Sequence, residues 1–409
     1  MTSLTTDGRA TPHLPRPEAA PSQRDSLPLG GLLALAMAGF ITILTEALPA
    51  GLLPQMSADL AVAESWVGQL VTMYAVGSLL AAIPLTAATR QWRRRPLLLI
   101  AIGGFAIVNT LTALSTNYVL TLGARFVAGV FAGLLWSLLA GYASRMVPAH
   151  LRGRAIAVAM IGTPLALSLG IPFGTFIGAA VGWRVTFGIM SLLTVILIGW
   201  IQASVPDFSG QTTEQRRPLA EVFSMPGVRP VLLVTLTFVL AHNVMYTYVA
   251  PFLVLAGIVA RVDVVLLLFG ATALLGIWIV GAFIDRFLRE LVLMSTVLFG
   301  LAALALALWG TSPAATCVAI GIWGFAFGGA ATLFQTASAN AAGEAADVAQ
   351  AMIVTAWNIA IAGGGIVGGV LLDTLGAASL PWAVIVLLLP TLCVAWLSQQ
   401  DGFPAAKTP

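Results

Sequence analysis

Residues 29–54 read LGGLLALAMAGFITILTEALPAGLLP, an apolar run interrupted by one carboxylate, Glu46. The run is long enough for a helix that crosses about 30 Å of hydrocarbon, which takes about 20 residues. An ionisable side chain inside such a helix costs at least about 2.5–3.5 kcal/mol on insertion scales, so it usually lines a pathway or binds a proton or ligand. Glu46 is the only carboxylate set well inside an apolar stretch of this chain. A proton site is the first reading of it. A structural acid bonded to a neighbouring helix, and a direct ligand for a cationic substrate, are the alternatives.

Stretches of the same kind recur outward from this one. Of the 409 residues, 59% are hydrophobic and 9% charged, against about 25% charged in soluble domains. The pattern predicts an all-α integral membrane protein of twelve transmembrane helices and excludes the alternating pattern of a membrane barrel. The first six spans are predicted at Leu29 to Leu53, Trp66 to Ala88, Leu97 to Leu114, Leu120 to Ala143, Ala155 to Val181 and Thr186 to Val205. The second six are predicted at Val228 to Leu255, Val264 to Ile284, Leu291 to Trp309, Ala314 to Ala337, Val348 to Leu372 and Pro381 to Leu397.

The net charge of +3 does not point to nucleic acid, because the arginines sit between apolar segments rather than on one soluble face. They encode orientation instead. Arg90, Arg93, Arg94 and Arg95 follow span two, Arg145, Arg152 and Arg154 follow span four, and Arg286 and Arg289 follow span eight. Arg216, Arg217 and Arg229 flank the middle loop, and only Arg184 and Arg261 fall in opposite-side loops. The positive-inside rule then places both termini in the cytoplasm of a multi-pass inner-membrane protein.

Residues 1–26 are polar and Pro-rich and read as a disordered cytoplasmic tail, and residues 401–409 read as a second cytoplasmic tail. The longest later polar interruption, residues 207–227, reads as a cytoplasmic linker between bundles at 27–206 and 228–400. Features recur across it at a nearly constant offset: Arg90 and Arg286 are 196 residues apart, Gly123 and Gly321 198, and Ala155 and Ala351 196. Two pseudo-symmetric six-helix halves follow, with a binding site between them near mid-membrane. Polar residues of spans one, four, seven and ten are expected to meet there. Cys317 and Cys393 lie in or near apolar spans and read as small core residues.

The stretch Thr45-Glu46-Ala-Leu-Pro49-Ala-Gly51-Leu-Leu-Pro54, followed by Ser57-Ala-Asp59-Leu, resembles the first-span signature of one branch of the major facilitator superfamily. That branch is the sugar-efflux and chloramphenicol-efflux part of the twelve-span drug:proton antiporter group, and the resemblance covers the chain after the tail. The family's gate motif, Gly-x-x-x-Asp-Arg-x-Gly-Arg-Arg, is matched in part after span two, where Arg90, Arg93 and Arg94 remain but Leu85, Thr89 and Trp92 replace Gly, Asp and Gly. A second copy after span eight keeps Gly281, Asp285, Arg286 and Arg289, with Leu288 in place of Gly. These residues are gating candidates by resemblance. Gly170, Pro172 and Gly174 resemble the family's fifth-span antiporter motif, with Gly-Ile-Pro at its core. Spacing alone puts those glycines and Gly178 on one face, and Pro172 removes a helix hydrogen bond.

Three residues are candidates for proton coupling. An uncharged acid costs less in hydrocarbon than a carboxylate, so Glu46 is expected to carry a proton when its surroundings close. Arg125 begins Arg125-x-x-x-Gly129-x-x-x-Gly133, whose spacing puts both glycines on its face and admits a close helix neighbour. The resemblance implies that an arginine here takes part in proton coupling; alternatively it bonds backbone carbonyls. His242 lies one turn from Tyr246, and Asn243 one turn from Thr247, which makes a polar patch on span seven. Histidine titrates near neutral pH when unperturbed; the alternative is a helix-contact histidine. Trp136, Asn243, Tyr246, Trp323, Gln335 and Asn358 are substrate-binding candidates, combining aromatic surface with a few hydrogen-bonding groups.

The function expected is a secondary transporter that exports a small organic compound (drug, sugar or nucleoside-like) against protons by alternating access. Lys407 is the single lysine, which excludes a P-loop, so the proton gradient is the expected energy source and no cofactor is implied. No His/Cys/Asp/Glu cluster has metal-ligand spacing and no convergent set of acids and histidines suggests an enzyme. The expected partners are a small-molecule substrate, protons and the lipid bilayer, with one chain sufficient. Import by symport uses the same residues in the other direction.

Overall fold

The computed structural model describes residue 2 and residues 27–89, 91–148, 151–210 and 219–403. The rest of the expected N-terminal tail, Arg90, and Arg216 with Arg217 lie outside the described residues. Among those described, twelve helices are long and apolar enough to cross a membrane: Leu29–Gly51, Glu64–Ala82, Arg94–Leu114, Tyr118–Arg145, Arg154–Val181, Trp183–Ser204, Val228–Tyr246, Val259–Ile284, Arg286–Trp309, Pro313–Ala342, Val348–Leu375 and Ala377–Leu397. They are numbered here as spans one to twelve, and no strand occurs among the described residues. Local chemistry sets several boundaries. The Asn117 side chain accepts from the Leu120 amide at 3.1 Å and caps span four, meeting one of the free N–H groups of a helix start. Gly182, at φ +95°, separates spans five and six where other residues would be strained.

Three expected spans are not uniform helices. Span five widens into a π turn at Ala166–Gly170, just before Ile171 and Pro172, because Pro172 has no N–H to donate to the Ser168 carbonyl and its ring crowds it. Span seven, expected to run unbroken from Val228 to Leu255, stops at Tyr246 and resumes as Val249–Leu255. Pro251 has no N–H for the Thr247 carbonyl, and Tyr248 takes non-helical angles of −113° and 27°. Span one ends at Gly51 and resumes as Leu53–Leu60 after Leu52. Leu52 and Tyr248 are 196 residues apart, so both halves break at the same point of the repeat.

The same offset governs tertiary contacts. Arg93 Nε pairs with Asp207 Oδ2 at 2.7 Å, tying the segment after span six to the loop before span three. Arg289, 196 residues on, donates at 3.2 Å to the carbonyl of Phe403, itself 196 beyond Asp207, and also to Ala395 and Trp396 carbonyls at 3.0 and 2.7 Å. Phe403 is wholly buried, so the start of the expected C-terminal tail packs against the second half through Gly402 and Phe403.

Asp207 makes a small prediction. Partial burial pushes its carboxyl up, but the Arg95 amide and the Arg93 guanidinium outweigh that and hold it below the usual carboxylate range. A depressed value means stability that is present at neutral pH and lost as pH falls through the depressed value. Because Arg93 is exposed, Asp207→Asn should cost less than about 1 kcal/mol. In thermal melts the gap to wild type should stay flat from neutral pH to about 5 and close below about 4.

The two halves do not meet along their full depth. Leu44, Leu48, Leu52, Leu53, Met56, Val67 and Leu70 of the first half share one continuous core with Val244, Val249, Phe252, Leu266 and Phe269 of the second. Leu32, Leu35, Ile41, Leu97, Phe105, Leu135, Leu139 and Leu151 form a separate core confined to the first half. The joined part lies towards the ends of spans one and seven, opposite the arginine-rich loops.

Candidate functional site

Three helices of the first half converge on span one. Tyr74 of span two donates its hydroxyl to the Thr42 carbonyl at 3.1 Å. Asn109 of span three donates to Thr45 Oγ1, also at 3.1 Å. Arg125 of span four donates from Nη2 to the Glu46 carbonyl at 3.0 Å and from Nε to the Leu70 carbonyl at 3.4 Å. Its guanidinium lies 5.0 Å over the Tyr74 ring, a favourable placement for a desolvated cation. Arg125 is fully buried, and Glu46 is half-buried beside it.

Arg125 and Glu46 are thus brought together, but not as a side-chain ion pair. The guanidinium takes the backbone carbonyl of Glu46, the carbonyl-bonding alternative of the sequence reading. Arg125 Nη1 and Asn109 Oδ1 have no partner among the described residues. The site therefore holds a buried positive charge with one donor open, next to the one acid of span one. That donor bonds an ionised carboxylate strongly and a protonated one only weakly, through its neutral carbonyl oxygen.

The second half is aromatic where the first is charged. His242 stacks on Phe327 with centroids 3.5 Å apart and planes at 8°, and lies 4.9 Å from the Tyr246 ring. Phe269 is 5.8 Å and Trp323 5.3 Å from it. His242 packs within its own half, among rings of spans seven, eight and ten. Glu46 and His242 are 196 apart, a correspondence that was readable in the sequence.

Other candidates divide. Trp323 and Tyr246 are buried in the aromatic cluster. Asn243 and Asn358 turn their amides back on their own helices, each donating at 2.9 Å to the carbonyl four residues earlier. Gln335 is exposed, and its backbone carbonyl accepts from Gln350 at 2.7 Å. Trp136 is half-buried against the first-half core and faces Gly39. Gly170 and Gly174 face Phe40 and Leu48 of span one, where an added Cβ would come within 2.8 Å. Among the gating candidates, Arg93 pairs with Asp207, Arg94 is buried, and the Arg286 guanidinium lies 5.3 Å over Phe287. Gly281 has open space where a Cβ would stand, so no neighbour uses its smallness. The side chain of Asp285 lies outside the described residues.

A latch that sequence reading passed over joins the halves. The Tyr248 hydroxyl donates to the Gly365 carbonyl at 2.7 Å and reaches the Ser65 carbonyl at 3.3 Å. Gln69 donates to the Gly365 carbonyl at 3.1 Å and to the Tyr248 hydroxyl at 3.3 Å. The Ser65 and Gln69 bonds cross between the halves, while Tyr248 and Gly365 both belong to the second half. Gly68, Gly365, Gly368 and Gly369 leave room for them, since a Cβ at Gly368 or Gly369 would stand 2.7 Å from the tyrosine. Tyr248 is aimed there by the break before Pro251. Tyr248→Phe removes the shared hydroxyl, and about 1 kcal/mol per bond lost should favour opening of this end by roughly tenfold. Spin labels at Trp66 and Leu375 should report a larger separated population; an unchanged distance distribution counts against the latch.

Two helical bundles joined at one end around a buried polar site have the architecture of membrane transporters of small solutes. Residues 35–365 match the model of the Major Facilitator Superfamily, and the chain belongs to that family. It is 28% identical over 381 residues to the transcription regulatory protein OpdE of Pseudomonas aeruginosa, covering 92% of this chain and 95% of that one. It is 28% identical over 363 residues (87% and 90%) to a probable sugar efflux transporter of Mannheimia succiniciproducens. The purine ribonucleoside efflux pump NepI of Salmonella enteritidis is likewise 28% identical, over 370 residues (89% and 92%). Among solved structures, the fold is similar to a bacterial homolog of the human lysosomal transporter Spinster, inward-facing and occupied, with TM-score 0.74, 13% identity and 92% and 98% coverage. The unoccupied form of that homolog gives 0.71, 15% identity, and 94% and 100% coverage.

Proposed function

We propose that this multi-pass membrane protein exports a small drug-, sugar- or nucleoside-like compound in exchange for protons. The observation that carries the reading is the open Nη1 of buried Arg125 beside Glu46. Ionised, Glu46 takes that donor in a charge-assisted bond; protonated, it offers only a neutral acceptor, so one proton weakens the bonding between spans one and four. With the arginine-rich loops in the cytoplasm, the joined end faces outward and the cleft between the halves opens inward, where a substrate loads. Opening of the latch then exposes Glu46 to outside protons. The chain has no P-loop, so the gradient supplies the energy, and one chain contains both halves needed for alternating access. The names of the two efflux relatives support the direction. The test is transport in oriented vesicles with an imposed proton gradient. Substrate movement opposite to protons, with stoichiometric proton flux, is expected; movement in the same direction overturns export.

A further inference from the structure

Spans five and eight, one from each half, touch at one level and part beyond it. At Gly270 an added Cβ would fall on the backbone of Ser168, 2.6 Å from its carbonyl oxygen. Further towards the end opposite the arginine-rich loops, the two helices leave a groove of about 370 Å³ between them, a volume within the range of ligand sites. Leu169, Phe173 and Phe176 recur at helical spacing along the wall formed by span five. Val264 and Leu267 of span eight form the other wall. All five are exposed, so among the described residues nothing covers them.

One residue lining this apolar groove is charged. Asp263 stands about 6 Å along the helix from the Val259 end of span eight, the depth at which hydrocarbon gives way to headgroups. Among the described residues its carboxylate has no hydrogen-bond or ion-pair partner. Hydrocarbon does not solvate such a charge, and the start of a helix offsets only part of that cost.

The groove therefore asks for a ligand with a hydrogen-bonding cation at its head and an apolar chain below. A phospholipid with a primary ammonium headgroup has both. A choline headgroup carries the charge without an N–H to donate, and a glycerol headgroup leaves the negative phosphate uncompensated beside the acid.

We propose that the groove between spans five and eight binds a phospholipid of the ethanolamine type. Its ammonium pairs with Asp263, and one acyl chain lies between Phe173 and Phe176 on one side and Val264 and Leu267 on the other. Because the two walls belong to different halves, the lipid bridges the seam of the molecule at its joined end and stabilises the spacing of the walls seen here. The site is separate from Glu46 and does not depend on the direction of transport.

The test is native mass spectrometry of the purified full chain, offered in turn palmitoyl-oleoyl phosphatidylethanolamine, phosphatidylcholine and phosphatidylglycerol. Wild type should retain the ethanolamine lipid about tenfold more than either of the others, as a hydrogen bond to a charged group predicts. In Asp263→Asn its lead over phosphatidylcholine should shrink to about twofold or less. Asp373→Asn, which alters an exposed acid near the same end of span eleven, should keep the full preference. Leu267→Trp, which fills the groove, should bring retention of the ethanolamine lipid down to that of phosphatidylglycerol. Equal retention of the three lipids by wild type, a preference for phosphatidylglycerol, or a preference unchanged in Asp263→Asn overturns the site. A dimer that Leu267→Trp disperses assigns the groove to a second copy of the chain and overturns it as well. The comparison among lipids uses the wild-type chain and decides the proposal even where a variant does not fold.

Discussion

Glu46→Gln is expected to reduce proton-driven export in vesicles to background, a loss of about a hundredfold or more, while substrate counterflow without a gradient continues. The substitution keeps shape and leaves Arg125 its bond to the residue 46 carbonyl, because that bond is to backbone. What it removes is a proton that can leave. A glutamine can still meet Arg125 Nη1 through its amide oxygen, but it does so at every pH, so the bonding between spans one and four no longer depends on the gradient. The effect should therefore be a loss of coupling and not of binding, visible as a flat pH profile. Glu46→Asp, which keeps a titrating group on a shorter stem, should retain part of the coupled rate. Full gradient-driven export by Glu46→Gln would remove the acid from the mechanism.

Gly129→Leu should abolish accumulation of folded protein, and Gly324→Leu should do the same in the other half. A Cβ at Gly129 would fall on the carbonyl of Tyr74 and stand 2.9 Å from the Ser78 amide nitrogen. At Gly324 it would fall on the carbonyl of Phe269. These obstacles are backbone of a neighbouring helix, which cannot rotate aside as a side chain can. Overpacking of this kind commonly costs about 1–3 kcal/mol even where side chains alone must shift. Helix association in a bilayer depends on such close contact between small residues. Displacing span four also pulls Arg125 from the Leu70 carbonyl. Gly123 is the control, since a Cβ there meets nothing within 4 Å although it lies in the same helix. Gly123→Leu should express and run as a monodisperse peak in detergent. Equal yields of Gly123→Leu and Gly129→Leu would remove the packing argument.

Much of the fold was legible because its determinants are local. Apolar length marks each span, and Pro172 announces a disturbed turn in span five. The repeat was visible in Arg90 and Arg286, although the structure carries it further, to Leu52 with Tyr248 and to Arg93 with Arg289. The spacing of Gly129 and Gly133 foretold a close neighbour without naming span two. The site was less legible. Glu46, Arg125, His242 and Trp323 all proved to be buried or half-buried polar residues in helical interiors, but Gln335 shares their composition and is exposed. Tyr248 was passed over because an aromatic residue before a proline has no distinctive local pattern; only the break in span seven gives its hydroxyl a direction.

The amino-acid sequence by itself determined a twelve-span membrane protein in two repeated halves, with one acid in its first helix. Hydrophobic length and the order of residues along a helix suffice for that. Which group Arg125 binds, which end of the molecule is joined, and where spans five and eight part beside Asp263 were decided only by tertiary structure. Each depends on the rotation and depth of helices far apart in the chain, and a 3.6-residue period sets the faces of a helix without setting what they meet.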